Sequence, residues 1–257
     1  MRSTVAKAIE ARFKPGVIVQ LTDFKVLTFG CYGTLIDKDS GIYTALRPLL
    51  NKGVTLSREE VLASFTQHES AQRSEALDLP YSRALTEVHR RLAKIWGVIC
   101  SEDDHVLFGK SVPHWPVFAD TPAALQYFKR YFKLAVLSNV DRENFAGSSR
   151  RLEVKFDAVF SAQDIGSYKP DPRNFEYMVH KLAKLGWSKQ DLLHTAQSPS
   201  QDLASAAACG LAAAWIDRRR ESIQAGAAVA ANAGVRHDFR FTSLVDMVKA
   251  HQEQLRA

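Results

Sequence analysis

Four short polar stretches carry side chains able to act on an anion: Gly30-Cys31-Tyr32-Gly33-Thr34 running on to Asp37, Ser138-Asn139, Lys169 before Pro170, and Ser198 with Asp202. Ser138 supplies a hydroxyl that can bond a carboxylate or an oxyanion, and Asn139 an amide that can support its loop. Lys169 supplies an ammonium, which keeps a neighbouring carboxylate ionised and balances negative charge. Asp202 can pair with that ammonium and orient or activate water. Each also has a plainer reading: Ser138 and Asn139 as turn residues, Lys169 as a surface cation, Asp202 as the N-cap of an Ala-rich helix. Thr34 either caps its loop or bonds a reacting carboxylate, and the two roles are compatible.

Strands must deliver these groups to one place. Lys25 to Asp37 begins as an apolar, β-branched run and ends in turn-forming residues, so a buried strand runs into a polar loop. Further short strands are expected at Leu134 to Leu137, Val159 to Ser161, Leu192 to Ala196, Ala212 to Ile216 and Phe239 to Phe241. Helices are expected at Thr121 to Tyr131, Phe175 to Leu185, Leu203 to Cys209 with Gly210 closing it, and Ser243 to Leu255. Alternation at this spacing predicts an α/β fold with a doubly wound parallel sheet, whose ligands bind at the carboxyl ends of the strands. Between the first and second strands, Gly41 to Asn51 and Ser57 to Gly97 carry apolar residues at helical spacing; Ser57 and Glu60 make a capping box, and Pro80 divides the second stretch. So long an insertion reads as a helical cap over the strand ends. The expected organisation is an N-terminal extension over 1–24, a core over 25–40 and 115–257, and a cap subdomain over 41–114. Residues 1–24 read as a surface helix or arm, and Gln224 to Gly234 as a loop or small helix.

With 257 residues and 46% hydrophobic content, the chain can build one good core plus a subdomain. Its 34 Lys and Arg against 28 acids are spread along the sequence, which permits anion binding without marking a nucleic-acid partner. Arg150-Arg151 and Arg218-Arg219-Arg220 read as solvated surface. Cys31, Cys100 and Cys209 lie far apart with no metal-site spacing, which suits a reducing cytoplasm. No apolar run approaches a bilayer-spanning length, so no membrane partner is expected.

Gly30-Cys31-Tyr32-Gly33-Thr34-Leu35 resembles the first motif of the haloacid dehalogenase (HAD) superfamily, Asp-x-Tyr-Gly-Thr-Leu in 2-haloacid dehalogenases and their near relatives. With Ser138, Lys169 and Asp202 following in order at strand ends, the resemblance covers roughly Lys25 to Asp217. It implies a Rossmann-like core. It also implies a catalytic set of the nucleophile position, here Gly30, with Thr34, Ser138, Lys169 and Asp202, and substrate contacts from Cys31, Tyr32, Asn139 and Ser198. Relatives that are phosphatases carry a second Asp two residues after the nucleophile, because an alkoxide leaving group needs a proton donor. Halide needs none, so Tyr32 resembles the dehalogenase branch, which forms and hydrolyses an aspartyl ester without a metal or cofactor. Magnesium would enter only with phosphatase-like chemistry. The implied partner is a small anion such as a 2-haloacid, and the family allows a homodimer. The halide-accepting arginine of the family aligns near Ser64, with Arg47, Arg73 and Arg83 as candidate substitutes.

Glycine has no side chain with which to attack. Losing a nucleophile costs a factor on the order of 10⁴ to 10⁶ in rate, and neither Asp23 nor Asp37 lies where it could take over. Cys31 is turned the other way by strand alternation and reads as a buried structural thiol. Three expectations follow: a dehalogenase-type hydrolase that has lost its nucleophile, a non-catalytic binder of small anions or carboxylates in the same cleft, or a phosphatase-like hydrolase in which Asp202 activates water.

Overall fold

The computed structural model describes residues 19–76, 79–218 and 235–257. Most of the N-terminal extension, Arg219 and Arg220, and the Gln224 to Gly234 stretch lie outside the described residues. Six parallel strands form one sheet in the order β3-β2-β1-β4-β5-β6: β1 Val26–Gly30, β2 Lys133–Ser138, β3 Ala158–Ser161, β4 Leu192–Ala196, β5 Ala212–Ile216 and β6 Phe239–Phe241. The order reverses at β1, which lies between β2 and β4; the crevice beyond its carboxyl end is the expected ligand position.

Strand alternation divides the core. Leu27 and Phe29 of β1, Leu134 and Val136 of β2 and Leu193 of β4 share one apolar cluster, whereas Val26, Ala135, Leu137 and Leu192 share another. Both faces are therefore covered, which is why the central strands are buried at every residue.

The helices in chain order are α1 Lys38–Leu50, α2 Arg58–Glu75, α3 Tyr81–Ile95, α4 Glu102–Gly109, α5 Thr121–Phe128, α6 Arg142–Ser149, α7 Ala162–Ile165, α8 Arg173–Lys184, α9 Ala204–Ala208 and α10 Leu244–Gln254. Helices α1 to α4 form the insertion between β1 and β2. Its two connecting segments are tied together: Ile36 bridges Val117, and Asp37 N donates to Pro116 O at 2.8 Å. Ser57 and Glu60 form the expected capping box at the start of α2, and Pro80 precedes α3. The boundary expected at residue 40 falls inside α1. That helix starts at Lys38, where Asp37 accepts from Ser40 N at 3.0 Å as its N-cap. No described helix is long and apolar enough to cross a membrane.

Candidate active site

Position 30 is the last residue of β1 and shares its facing with Val26 and Thr28. A Cβ there would lie 3.1 Å from Ala196 Cβ, 3.2 Å from Asp202 Oδ1 and 3.3 Å from Asp202 Cγ. Any side chain at this position points at the Asp202 carboxylate. Cys31, the next residue, is buried in the opposite core cluster, and burial pushes its thiol up to about 12 against the opposing pull of Lys169. It is an inert, protonated thiol.

The loop after β1 is a compact turn. Leu35 N donates to Cys31 O at 2.7 Å and Gly33 N to Ile36 O at 2.8 Å, with Gly33 at φ +88°, a region costly for other residues. Thr34 Oγ accepts from Gln197 N at 2.9 Å, tying this loop to the one after β4. The Arg218 guanidinium donates to Thr34 O from Nε and Nη2 and pairs with Asp120 at 2.8 Å. Tyr32 stands edge-on to Trp115, 5.7 Å between ring centres, with its hydroxyl 2.9 Å from Ser148 Oγ; burial raises its pKa well above the usual phenol range.

Lys169 and Asp202 meet directly. Lys169 Nζ lies 2.5 Å from Asp202 Oδ1 and also donates to Leu137 O at 3.0 Å, and both side chains are almost wholly buried. Asn139 fixes the Lys169 backbone from both sides, accepting from Lys169 N at 2.7 Å and donating to Lys169 O at 3.0 Å. The Lys169-Pro170 peptide is cis.

A third group was not singled out from the sequence: His194, fully buried on β4, with Nε2 3.3 Å from Asp202 Oδ1 and Nδ1 2.9 Å from Thr28 Oγ. Burial depresses the imidazole below its usual range despite Asp202, so it is neutral near pH 7. The tautomer that satisfies both partners donates from Nε2 to the carboxylate and accepts from Thr28 at Nδ1. Burial alone would raise the Asp202 carboxyl, but Lys169 and His194 outweigh it and hold it at about 2. The available signal was a histidine inside an apolar strand, directly opposite Thr28 in the register.

The remaining candidates are placed around this cluster. Ser138 is buried at the end of β2, and its hydroxyl has no hydrogen-bond partner among the described residues. Ser198 Oγ accepts from Gln201 N at 3.3 Å, which makes Ser198, and not Asp202, the cap of the turn that opens Pro199–Leu203.

A cleft of about 620 Å³ opens beside Lys169, between α2 and the 166–171 loop, with Lys38, Glu69, Arg73 and Arg173 in its walls. Glu69 binds Lys38 at 2.7 Å and the Tyr81 hydroxyl at 2.6 Å, with Arg73 at 3.4 Å. Burial opposes its ionisation, but Lys38 and Arg73 hold it at about 2. Arg73 also stacks over the rings of Tyr81 and Tyr168. Arg47 and Arg83, in contrast, are exposed and do not line this cleft.

The donors present do not fit magnesium. A hard cation of octahedral preference needs several oxygen ligands. Gly30 offers none, the Tyr32 phenol is protonated, and Asp202 is already engaged by Lys169 and His194. Among the described residues no group of three acidic, His or Cys side chains is placed to hold a metal.

Comparison with known proteins agrees with this architecture. A family model described as haloacid dehalogenase-like hydrolase matches residues 24–210. No curated protein sequence matches the chain. Among solved structures, the L-2-haloacid dehalogenase PA0810 superposes with a TM-score of 0.74 at 22% identity, over 91% of this chain and 100% of that one. The L-2-haloacid dehalogenase from Xanthobacter autotrophicus with chloropropionic acid covalently bound gives 0.69 at 17%, over 89% and 98%. The HAD-hydrolase YfnB from Bacillus subtilis, bound to magnesium, gives 0.70 at 15%, over 89% and 99%. At such identities the likeness establishes the shared fold, and the family match over residues 24–210 places the chain: it belongs to the haloacid dehalogenase-like hydrolases.

Proposed function

We propose that this chain is a dehalogenase-type hydrolase scaffold that lacks the covalent step. The observation that carries this reading is the direction of the missing side chain, which would extend from Gly30 toward Asp202 and its partner Lys169. In the family the carboxylate at this position attacks the halogen-bearing carbon, halide departs with the bonding pair, and water cleaves the resulting ester. Here nothing stands at position 30 to attack. Lys169 would hold such a carboxylate ionised, Ser138 would bond a substrate oxygen, Thr34 would hold the loop, and Asp202 would orient water. Asn139 and Ser198 support this set through Lys169 and the loop after β4. Residues 41–114, the greater part of the α1 to α4 insertion, act as a cap. Of the three candidate halide-binding arginines, Arg73 fits best, because it lines the cleft beside Lys169 whereas Arg47 and Arg83 face solvent.

The anion-binding alternative relied on an ammonium at Lys169 left without its counter-charge. That charge is met by Asp202 at 2.5 Å, which favours an inactive hydrolase over a tight anion site. Water activation by Asp202 suffers from the same pairing, since a carboxylate held at about 2 is a weak base.

Incubating the protein with 2-chloropropionate tests the reading. The expected result is no halide release above the uncatalysed rate and no covalent adduct by intact mass. Turnover by the chain as it stands would contradict it.

A further inference from the structure

On the other side of the insertion a second pocket of about 420 Å³ opens between α1 and α4, sharing no lining residue with the cleft beside Lys169. Its floor is Leu49 and Phe108, both buried, with Ala45, Pro48 and Cys100 in the walls. Its size is that of a small-molecule site. Leu107 borders it and is 69% exposed, whereas Phe108 beside it in the helix is buried.

The polar groups are unevenly placed. His89 on the inner wall has Nδ1 2.7 Å from Nδ1 of buried His105, and burial with His105 lowers its pKa to about 4, so this wall carries no charge near pH 7. At the rim stand Lys52, Asp104 and Lys110. Lys52 is spent on Asp104, 3.2 Å away, and on Ile99 O at 3.1 Å. Lys110 forms no ion pair among the described residues, so the rim keeps one unmatched positive charge over an apolar chamber. Charge complementarity and wall chemistry together specify an occupant with a hydrocarbon body and one negative end.

We propose that this pocket binds a small amphipathic carboxylate, its apolar body against Leu49 and Phe108 and its carboxylate at Lys110. The cleft beside Lys169, rich in paired charges, does not suit such a body. The site therefore has a ligand class of its own, whatever the fate of chemistry at position 30.

Octanoate is the probe, with octan-1-ol as its uncharged counterpart. Calorimetry on the full chain should give saturable binding of one octanoate per chain, weakened about tenfold or more in octan-1-ol and in Lys110→Ala, and abolished in Ala45→Phe, which fills the chamber. Thiol alkylation gives a second readout on the unaltered protein: octanoate should slow labelling of Cys100 and leave Cys209, which lies elsewhere, unchanged. Absence of saturable binding, equal affinity for octan-1-ol and octanoate, or unprotected Cys100 at saturation would overturn the assignment. So would a dimer by sedimentation that hides Cys100 without octanoate, since the pocket would then be an interface between copies.

Discussion

Asp202 Oδ1 receives both the Lys169 ammonium and the His194 imidazole, and all three side chains are withdrawn from water. A buried ion pair of this kind contributes little net stability over an apolar pair, but breaking one half leaves an uncompensated charge. Lys169→Met is expected to destabilise the fold by about 3 to 5 kcal/mol. The double variant Lys169→Met with Asp202→Leu should recover most of that loss. Urea unfolding of the two variants checks this, and a double variant as unstable as the single one would mean that the pair is not the source. Among the described residues the Ser138 hydroxyl at the end of β2 is also buried without a hydrogen-bond partner, as are those of Thr121 and Thr195.

At the scale of elements, α1 lies so close to Trp115 that a Cβ on Gly41 would come within 2.3 Å of Trp115 Cγ. Alanine is favoured over glycine inside a helix by about 1 kcal/mol, yet overpacking costs about 1 to 3 kcal/mol. Contact with a rigid, fully packed indole decides the sign, and Gly41→Ala is expected to lower stability; a raised melting temperature would show that Trp115 can yield. Most elements were legible in the sequence because short runs such as Leu134 to Leu137 and Leu192 to Ala196, set between helical stretches, match buried strands of a parallel sheet. Three helices were not, one of them the short Ala162–Ile165. Arg142–Ser149 has a single large apolar residue, Phe145, so its periodicity is silent and only the Asp141 cap marks it. Glu102–Gly109 opens with three acids and so shows little apolar periodicity, although Ser101 and Asp104 form a capping box. The sequence proposes the residues of the candidate site but not their geometry. Nothing local reveals that His194 and Thr28 meet across two strands, or that Asn139 holds the Lys169 backbone, because those contacts join residues far apart in sequence.

Over the whole molecule, one apolar cluster runs from Phe65 and Leu92 of the insertion through Trp115 to Phe29 and Phe128 of the core. The buried histidines within and beside it set the response to acid. His89, lowered to about 4 by burial and His105, and His194, lowered by burial, stay neutral in the folded chain when the unfolded chain takes up protons below about 6.5. Stability should therefore be level above neutrality and fall as the pH drops from about 6.5 toward 4. Below about 4 the carboxyls of Asp202 and Glu69, both held at about 2 in the fold, extend the loss as the unfolded chain protonates first. Urea midpoints between pH 8 and 3 check the sequence of events, and a midpoint unchanged from pH 7 to 4.5 would contradict the neutral, buried imidazoles.

If the proposed reading holds, the site around position 30 lacks only the group that reacts, so restoring that group is the decisive manipulation. The Cβ of Gly30→Asp needs a few tenths of an ångström from Ala196 and the Asp202 carboxylate, and the added carboxylate would share the Lys169 ammonium with Asp202. The measurement is halide release from 2-chloropropionate by Gly30→Asp against the unaltered chain, with circular dichroism confirming that both are folded. A gain on the order of 10⁴-fold or more is expected, the inverse of what removing a nucleophile costs. A folded Gly30→Asp protein that releases no more halide than its parent would contradict the claim that this is a dehalogenase site lacking only its carboxylate.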